Sequence, residues 1–261
     1  MGSKAIQGQL WGKQPKDWAT IQEQTANSGY DHALNFLNVR PSDKVLDIGC
    51  GSGLFCNLVR ATGASITGID ASEALIEEAK RRYQSINFLV GEMEELPFPD
   101  GAFSIVSGFN SFQYAASITN ALKEAKRVLV GGGKLVTMIW GNKEDCEAAS
   151  FLKSVGSLLP PPPPGAPGPF ALTENQLLEK TLEEVGFKII SNTDVVSIWD
   201  YPNKEIALKG LMSSGPVAKA IDNRGFDKVL ETISSSIQPY LRRGGNVVYN
   251  NKFRVVISEN V

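Results

Sequence analysis

The sequence predicts an α/β fold with a doubly wound, mostly parallel sheet of seven strands. Short apolar segments alternate with helical segments over most of the chain, which is typical of parallel strands joined by crossover helices. The stretch VLDIGCGSG at 45–53 has three apolar residues and then glycine at every second position. This pattern indicates a buried strand, a tight turn and the beginning of a helix, whose free N–H groups would face a ligand.

The elements follow in order from this first strand. Gly63 is a natural end for the first core helix, and Ser72 and Ser117 are natural N-caps for the next two. Gly131–Gly133 predicts a turn before the fifth strand, and Thr173 with Gln176 predicts a capping box. The predicted strands are 44–48, 65–69, 86–90, 103–108, 134–140, 187–199 and 247–258. The predicted helices are 16–27, one beginning at 31, and 53–62, 73–83, 117–129, 144–158 and 173–185.

Less regular segments interrupt this alternation and predict a lid made of separate parts. Five consecutive prolines, Pro160–Pro164, favour a stiff polyproline II segment beside the pocket. The predicted division is an N-terminal helical lid at 1–40, a ligand-binding core at 41–142, a Pro-rich lid segment at 143–172, a core helix and strand at 173–202, a helical insertion at 203–246 and a final strand at 247–261.

Composition restricts the class of protein. The chain has 261 residues, a net charge of -2 and no basic stripe, so we expect no nucleic-acid partner. No apolar run is long enough for a bilayer, so we expect no membrane partner. Three cysteines without metal-ligand spacing, together with a single histidine, predict no metal site and a cytoplasmic location.

The glycine turn carries a resemblance to a known family. Asp47 is followed by Gly49, Gly51 and Gly53, whereas a dinucleotide-binding turn would have its third glycine or an alanine where Leu54 stands. From Lys44 to Trp140 the motifs resemble the class I S-adenosylmethionine-dependent methyltransferases, in particular the methyltransferase-11-like group that acts on small molecules. This resemblance implies a Rossmann-like fold and S-adenosylmethionine as the cofactor.

Cofactor residues follow from the same motifs. Asp70 ends the second strand, where a carboxylate can accept hydrogen bonds from both ribose hydroxyls. The resemblance implies that Ala71 lies near the adenine, that Glu92 binds its amino group and that Met93 packs on its ring. It also implies that the segment beginning at Phe109 follows the methionine part. The predicted cofactor residues are Asp47, Gly49, Gly51, Asp70, Ala71, Glu92, Met93 and Phe109.

Acceptor residues are predicted from the aromatic residues of the lid and from Gln113, which stands where many relatives have histidine. A glutamine can orient an acceptor atom but cannot act as a base. His32, the single histidine, is a candidate general base, although a plain surface or capping role is the more natural interpretation. The carboxylates Asp17 and Glu23 of the predicted lid are weaker candidates. The predicted acceptor-binding residues are Trp11, Trp18, Gln113, Trp140 and Phe170.

The expected function is in-line methyl transfer to oxygen, nitrogen or carbon of a small organic acceptor. A base is needed only when the acceptor must lose a proton, so the absence of an obvious one is no objection. Two alternatives remain open. One is a lyase, cyclase or pericyclic catalyst that holds the cofactor without transferring its methyl group; the other is a binding module with a structural cofactor that binds a partner through Pro160–Pro164.

Overall fold

The sheet confirms the predicted fold class. The computed structural model describes residues 2–161 and 168–261. Its strands are β1 Lys44–Ile48, β2 Ser65–Asp70, β3 Asn87–Val90, β4 Phe103–Phe109, β5 Leu129–Trp140, β6 Phe187–Tyr201 and β7 Val247–Asn260. They form one seven-stranded sheet in the order β3-β2-β1-β4-β5-β7-β6. The first five strands pair in parallel, and β7 runs antiparallel to both β5 and β6.

This strand order decides where a ligand can bind. From β1 the chain continues to β2 on one side, and later returns to place β4 on the other side. The loops after β1 and β4 therefore leave the sheet in opposite directions, and a crevice opens between them at the carboxyl ends of the strands. The glycine turn of the sequence lies at this point.

Helices cover both faces of the sheet. The bounds are α1 Lys4–Trp11, α2 Pro15–Asp17, α3 Asn27–Leu37, α4 Leu54–Ala61, α5 Glu73–Arg82, α6 Ile118–Val128, α7 Ala149–Gly156, α8 Leu177–Glu184, α9 Lys204–Met212, α10 Gly215–Arg224 and α11 Phe226–Ser236. Between α2 and α3 the chain stays helical, with a π turn at Trp18–Gln22 and a 3-10 turn at Glu23–Ala26. Helix α3 ends at Asn38, which is in the left-handed conformation.

Two apolar cores lie on opposite faces of the sheet. The pleat of β1 sends Val45 into one core and Leu46 and Ile48 into the other. All three are at most 1% exposed. A strand buried on both faces is what a parallel sheet between two helical layers requires.

Most helix boundaries follow the predicted signals. The Ser72 hydroxyl accepts a hydrogen bond from the N–H of Leu75, and that of Ser117 accepts one from Asn120, so both predicted caps are present. The predicted helix at 144–158 is shorter, because a 3-10 turn at Lys143–Asp145 precedes α7.

Two local predictions were wrong. Gly131–Gly133 is not a turn before the strand, because β5 already begins at Leu129 and pairs there with Phe103. The capping box at Thr173 does not form. The Thr173 hydroxyl donates to the carbonyl of Trp140, and Gln176 has positive φ, so α8 begins only at Leu177.

The remaining expectations concern the proline run and the membrane. Of Pro160–Pro164, residues 162–164 lie outside the described residues, so the predicted rigid loop stays a prediction. In the part of the chain that the structure describes, no helix combines the length and the apolar character needed to cross a bilayer.

Helix α9 offers a test of capping. The Asn203 side-chain oxygen accepts a hydrogen bond of 2.9 Å from the N–H of Ile206, and Asn203 is exposed. We expect Asn203→Ala to lower the free energy of unfolding by about 1 kcal/mol, because one N–H at the helix start loses its partner. Asn203→Asp keeps the oxygen and should stay close to wild type. Urea unfolding measures both, and equal losses in the two variants would contradict the cap.

Candidate functional site

The glycine turn after β1 lies at the crevice and presents backbone atoms that no side chain covers. Gly49, Gly51 and Gly53 have φ angles of +73°, +54° and +87°, which strongly favour glycine. A β-carbon at Gly49 would collide with the side chain of Ser111, whose hydroxyl donates to the carbonyl of Ile48 at 2.7 Å. The loop after β4 therefore packs into the space that the missing side chain leaves free.

Asp70 holds this turn against the end of β2. One carboxylate oxygen accepts the N–H of Gly51 at 2.9 Å, and the other accepts the N–H of Ser72 at 2.8 Å. Burial raises the pKa of Asp70, and the N–H donors oppose that rise. Because a carboxylate offers about four lone-pair sites, both oxygens can still accept from a ligand.

A cavity of about 110 Å³, here called the turn cavity, lies over the glycine turn. It is lined by six of the eight predicted cofactor residues, which are Gly49, Gly51, Asp70, Ala71, Met93 and Phe109. A lid residue, Tyr30, also lines it and packs edge-on against Phe109 with ring centroids 4.7 Å apart. The motifs that are distant in the sequence thus meet around one small cavity.

Two predicted cofactor residues lie elsewhere. Asp47 is 3% exposed and sits below the turn, where its carboxylate accepts from the hydroxyl of Ser107 at 2.7 Å and faces the thiol of Cys56 at 3.7 Å. Glu92 accepts the N–H of Lys4 at 2.7 Å, at the start of α1. Neither side chain is among those that line the turn cavity. Their contacts with a cofactor stay predictions.

A larger cavity of about 420 Å³, here called the aromatic cavity, adjoins the first. All four tryptophans of the chain line it, although they come from four different elements. Trp11 packs edge-on against Trp18 with ring centroids 4.8 Å apart, and Trp140 lies 5.5 Å from Trp199. Other rings of the wall are Tyr114, Phe151 and Phe253.

The two cavities have a common wall. Residues that line both are Gln7, Trp11, Trp18, Gln22, Thr25, Asn110 and Tyr114. A ligand in the turn cavity and a second ligand in the aromatic cavity would therefore be separated by side chains of this wall alone. Such an arrangement suits a reaction between two bound molecules.

The predicted acceptor residues mostly meet here. Trp11, Trp18, Gln113 and Trp140 line the aromatic cavity, whereas Phe170 packs behind Trp140 with ring centroids 5.7 Å apart. Glu23 lines the turn cavity. The other candidate bases, His32 and Asp17, line neither cavity, so a catalytic role for His32 stays a prediction without support from this geometry.

Sequence reasoning missed several lining residues. Asn110 is the first residue after β4 and has φ of +51°, a conformation that asparagine tolerates better than most residues, but nothing in the sequence marked its backbone as unusual. Trp199 and Phe253 lie on strands β6 and β7, where their spacing is that of ordinary core residues. Trp199 reaches the cavity near the end of β6, and Phe253 reaches it from the middle of β7, where it pairs with Trp140 at the end of β5.

Glu23 joins the N-terminal segment, which the sequence predicts to be a lid, to the glycine turn. Its carboxylate is 3% exposed and accepts the N–H of Leu54 at 3.0 Å, at the start of α4. Arg82 donates to it at 2.6 Å and also donates to the carbonyl of Ser52 at 3.0 Å. Burial raises the pKa of Glu23, while Arg82 and the Leu54 N–H lower it. One buried ion pair thus joins the N-terminal lid, the turn and α5.

Comparison with known proteins agrees with this geometry. Residues 46–137 match the family model described as a methyltransferase domain. A malonyl-[acyl-carrier protein] O-methyltransferase of Erwinia pyrifoliae is 33% identical over 135 residues, which are 50% of this chain and 49% of that protein. A 27-O-demethylrifamycin SV methyltransferase of Amycolatopsis mediterranei is 32% identical over 140 residues, 49% of this chain and 51% of that protein. The chain thus spans about half the length of these relatives.

A solved structure extends the similarity of fold. The [4+2]-cyclase SpnF superposes with a TM-score of 0.59 and 20% identity, over 90% of this chain and 81% of that one. At this identity the likeness concerns the fold alone. It covers the lid segments as well as the sheet, because the aligned share far exceeds the residues that match the domain model.

The ion pair between lid and α5 can be tested by a double-mutant cycle. We expect Arg82→Met to lower the free energy of unfolding by about 3–5 kcal/mol, because it leaves the Glu23 carboxylate buried without its counter-ion. In the Glu23→Gln variant, the additional Arg82→Met change should lower the free energy of unfolding much less, because no carboxylate is left without its counter-ion. Lys228→Met is the control, since Lys228 pairs with Glu231 and both side chains are exposed, so this change should leave the free energy of unfolding close to wild type. Additive losses of Glu23 and Arg82 would contradict the coupling.

The buried carboxyl of Asp47 predicts a pH dependence. Burial raises the pKa of Asp47 from 3.8 to about 7. A carboxyl that binds its proton more tightly in the folded state than in the unfolded state adds to the free energy of unfolding. This stabilisation is complete below the unfolded pKa and is lost as the pH rises through the folded pKa. In the wild type we expect this effect to lower the free energy of unfolding by at most about 4 kcal/mol between about pH 4 and about pH 8. In Asp47→Asn this decrease should be absent. Urea unfolding at both pH values measures it, with the exposed Asp227→Asn as control. The same pH dependence in wild type and Asp47→Asn would refute this assignment.

Proposed function

We propose that this chain, which matches the methyltransferase domain model over residues 46–137, is a class I S-adenosylmethionine-dependent methyltransferase and transfers a methyl group to a small organic acceptor held in the aromatic cavity. The observation that carries this proposal is the common wall of the two cavities. The turn cavity has the predicted cofactor residues, and the aromatic cavity lies directly beyond Trp18, Asn110 and Tyr114. Acceptor and methyl donor would therefore meet at that wall.

The residues present fit the cofactor. The backbone at Gly51 can come close to a ligand, because no side chain stands there and a β-carbon would already approach the indole nitrogen of Trp18 at 3.2 Å. Asp70 would bind the ribose hydroxyls through its remaining lone pairs, with Ala71 and Met93 beside the adenine. When bound, S-adenosylmethionine supplies an electrophilic methyl group attached to a sulfonium.

The chain itself contributes alignment and exclusion of water. Trp18 and Tyr114 stand at the wall, where their faces can also stabilise a nearby cation. Alignment of two bound reactants can supply on the order of 7–11 kcal/mol, so a protein with this geometry needs little further chemistry. Trp11 and Trp18 of the N-terminal segment and Phe151 of α7 line the aromatic cavity, and they would limit the access of water to a bound acceptor.

Asp70 provides the direct test of cofactor binding. We expect Asp70→Ala to weaken binding of S-adenosylmethionine by about 3 kcal/mol in isothermal titration, because two charge-assisted hydrogen bonds to the ribose are lost. Asp227→Ala, an exposed change on α11, is the matched control and should bind like wild type. Circular dichroism must show that the variant folds, since Asp70 also accepts from Gly51 and Ser72. Unchanged affinity in folded Asp70→Ala would contradict the ribose assignment.

Product analysis separates methyl transfer from the alternatives. A methylated product gains one CH₂ in mass while the cofactor is consumed. A cofactor that survives turnover of an acceptor would instead support a non-methylating catalyst.

A further inference from the structure

The wall of the aromatic cavity carries buried polar atoms that lack partners among the described residues. The side-chain oxygens of Asn110 and Gln113 are such acceptors, and the indole nitrogens of Trp18 and Trp199 are such donors. All four side chains line the cavity, and Trp199 is only 4% exposed. A buried polar group without a partner costs about 1–3 kcal/mol, so these atoms are better explained by a ligand that satisfies them.

The charge of the wall narrows the class of ligand. Among the described lining residues, Lys219 alone carries a charge, and it is exposed on α10. Residues 162–167, Pro-Pro-Pro-Gly-Ala-Pro, contain no ionisable side chain. No carboxylate of the described wall could therefore balance a cationic ligand. Solvent screens the charge of the exposed Lys219, so an anion buried beside the two amide oxygens would lack a close counter-ion. The wall favours a ligand without charge.

The rings of the wall indicate its shape. Trp11, Trp140 and Trp199 present large faces and edges, and Phe151 and Phe253 complete an apolar surface. Flat rings bind well to such walls through stacked or edge-on contacts, at ring-centroid separations of about 4.5–7 Å. The aromatic pairs already present are spaced in this range, with Trp140 and Phe253 centroids 5.1 Å apart.

We propose, building on the proposed function, that the acceptor is an uncharged, mostly apolar ring compound whose single hydroxyl proton is shared, in a three-centre hydrogen bond, between the side-chain oxygens of Asn110 and Gln113. An oxygen of the same molecule would accept from the indole of Trp199. The burial that surrounds Tyr114 raises the pKa of its hydroxyl, so that group stays protonated and takes no proton from the acceptor. Methylation would break the S–CH₃ bond of the bound cofactor as the acceptor's O–CH₃ bond forms, and the electron pair of the broken bond would stay on sulfur in the demethylated cofactor. The acceptor's O–H bond would break as well, and its proton would be released to the bulk solvent outside the cavity. This route favours phenols or enols over aliphatic alcohols, because they ionise more readily.

Binding of matched probes tests this class without any need for turnover. Equilibrium dialysis of the full chain would use 2-naphthol, 2-fluoronaphthalene, 2-naphthoate and 2-naphthylmethylammonium. These share a ring system and differ in donor and charge. We expect 2-naphthol to bind tightest, and the fluoro compound about tenfold more weakly, the equivalent of one hydrogen bond.

Variants identify the site of the hydroxyl. Gln113→Met keeps the length of the side chain and Asn110→Gly tolerates the positive φ, so both should fold. Each should reduce the preference for 2-naphthol over 2-fluoronaphthalene by several-fold. Gln24→Met is the control, because Gln24 is exposed and lies outside the cavity, and this variant should keep the full preference for 2-naphthol.

The outcomes decide the proposal separately from the proposed function. Tighter binding of either charged probe, equal binding of the fluoro compound, or no binding of any probe would overturn it. Naphthol preference in a protein that fails to bind S-adenosylmethionine would keep the inferred ligand class of the aromatic cavity, but it would remove the proposed function and with it the role of that ligand as methyl acceptor. Binding of S-adenosylmethionine without naphthol preference would overturn this inference and leave the proposed function standing.

Discussion

The buried carboxylate of Glu23 sets the position of the lid and, through it, the wall between the two cavities. A carboxylate that is 3% exposed is costly unless hydrogen bonds and a counter-ion compensate it. Leu54 and Arg82 supply these only where the lid meets the start of α4. Trp18 and Gln22 precede Glu23 in the same helical turns, so their place in the wall follows from where that carboxylate is satisfied.

The other side of the wall is fixed by the sheet. The loops after β1 and β4 diverge at the strand-order reversal, yet they interlock where Ser111 packs against Gly49. The Ser111 hydroxyl then bonds to the end of β1, which holds the neighbouring Asn110 and Tyr114 at the crevice. Lid and sheet thus reach the same wall through independent contacts, one ionic and one steric.

The sequence predicted the core better than the site for a physical reason. Buried parallel strands are continuous apolar runs, so the predicted bounds of β1 to β4 agree with the observed bounds within a residue or two. The start of β5 was predicted wrongly, because the glycines at Gly131–Gly133 are typical of a turn in the sequence but belong to the strand in the structure. Predicted cofactor residues on short motifs, such as Asp70, line the turn cavity, and their binding of the cofactor stays a prediction. Trp199 and Phe253 could not be assigned from sequence, because their role arises from tertiary placement of strands that read as ordinary core.

Helix α1 links the two cavities in a way that only the structure reveals. Gly8 has no side chain where a β-carbon would collide with the carbonyl of Ala71, and a β-carbon at Gly215 of α10 would press on Trp11 at 2.7 Å. These two close approaches let one short helix lie against the turn cavity and against α10 together. Since Gln7 and Trp11 line both cavities, a displacement of α1 would alter the walls of both. Under the proposed function, the same short helix would therefore shield both the cofactor and the acceptor from water.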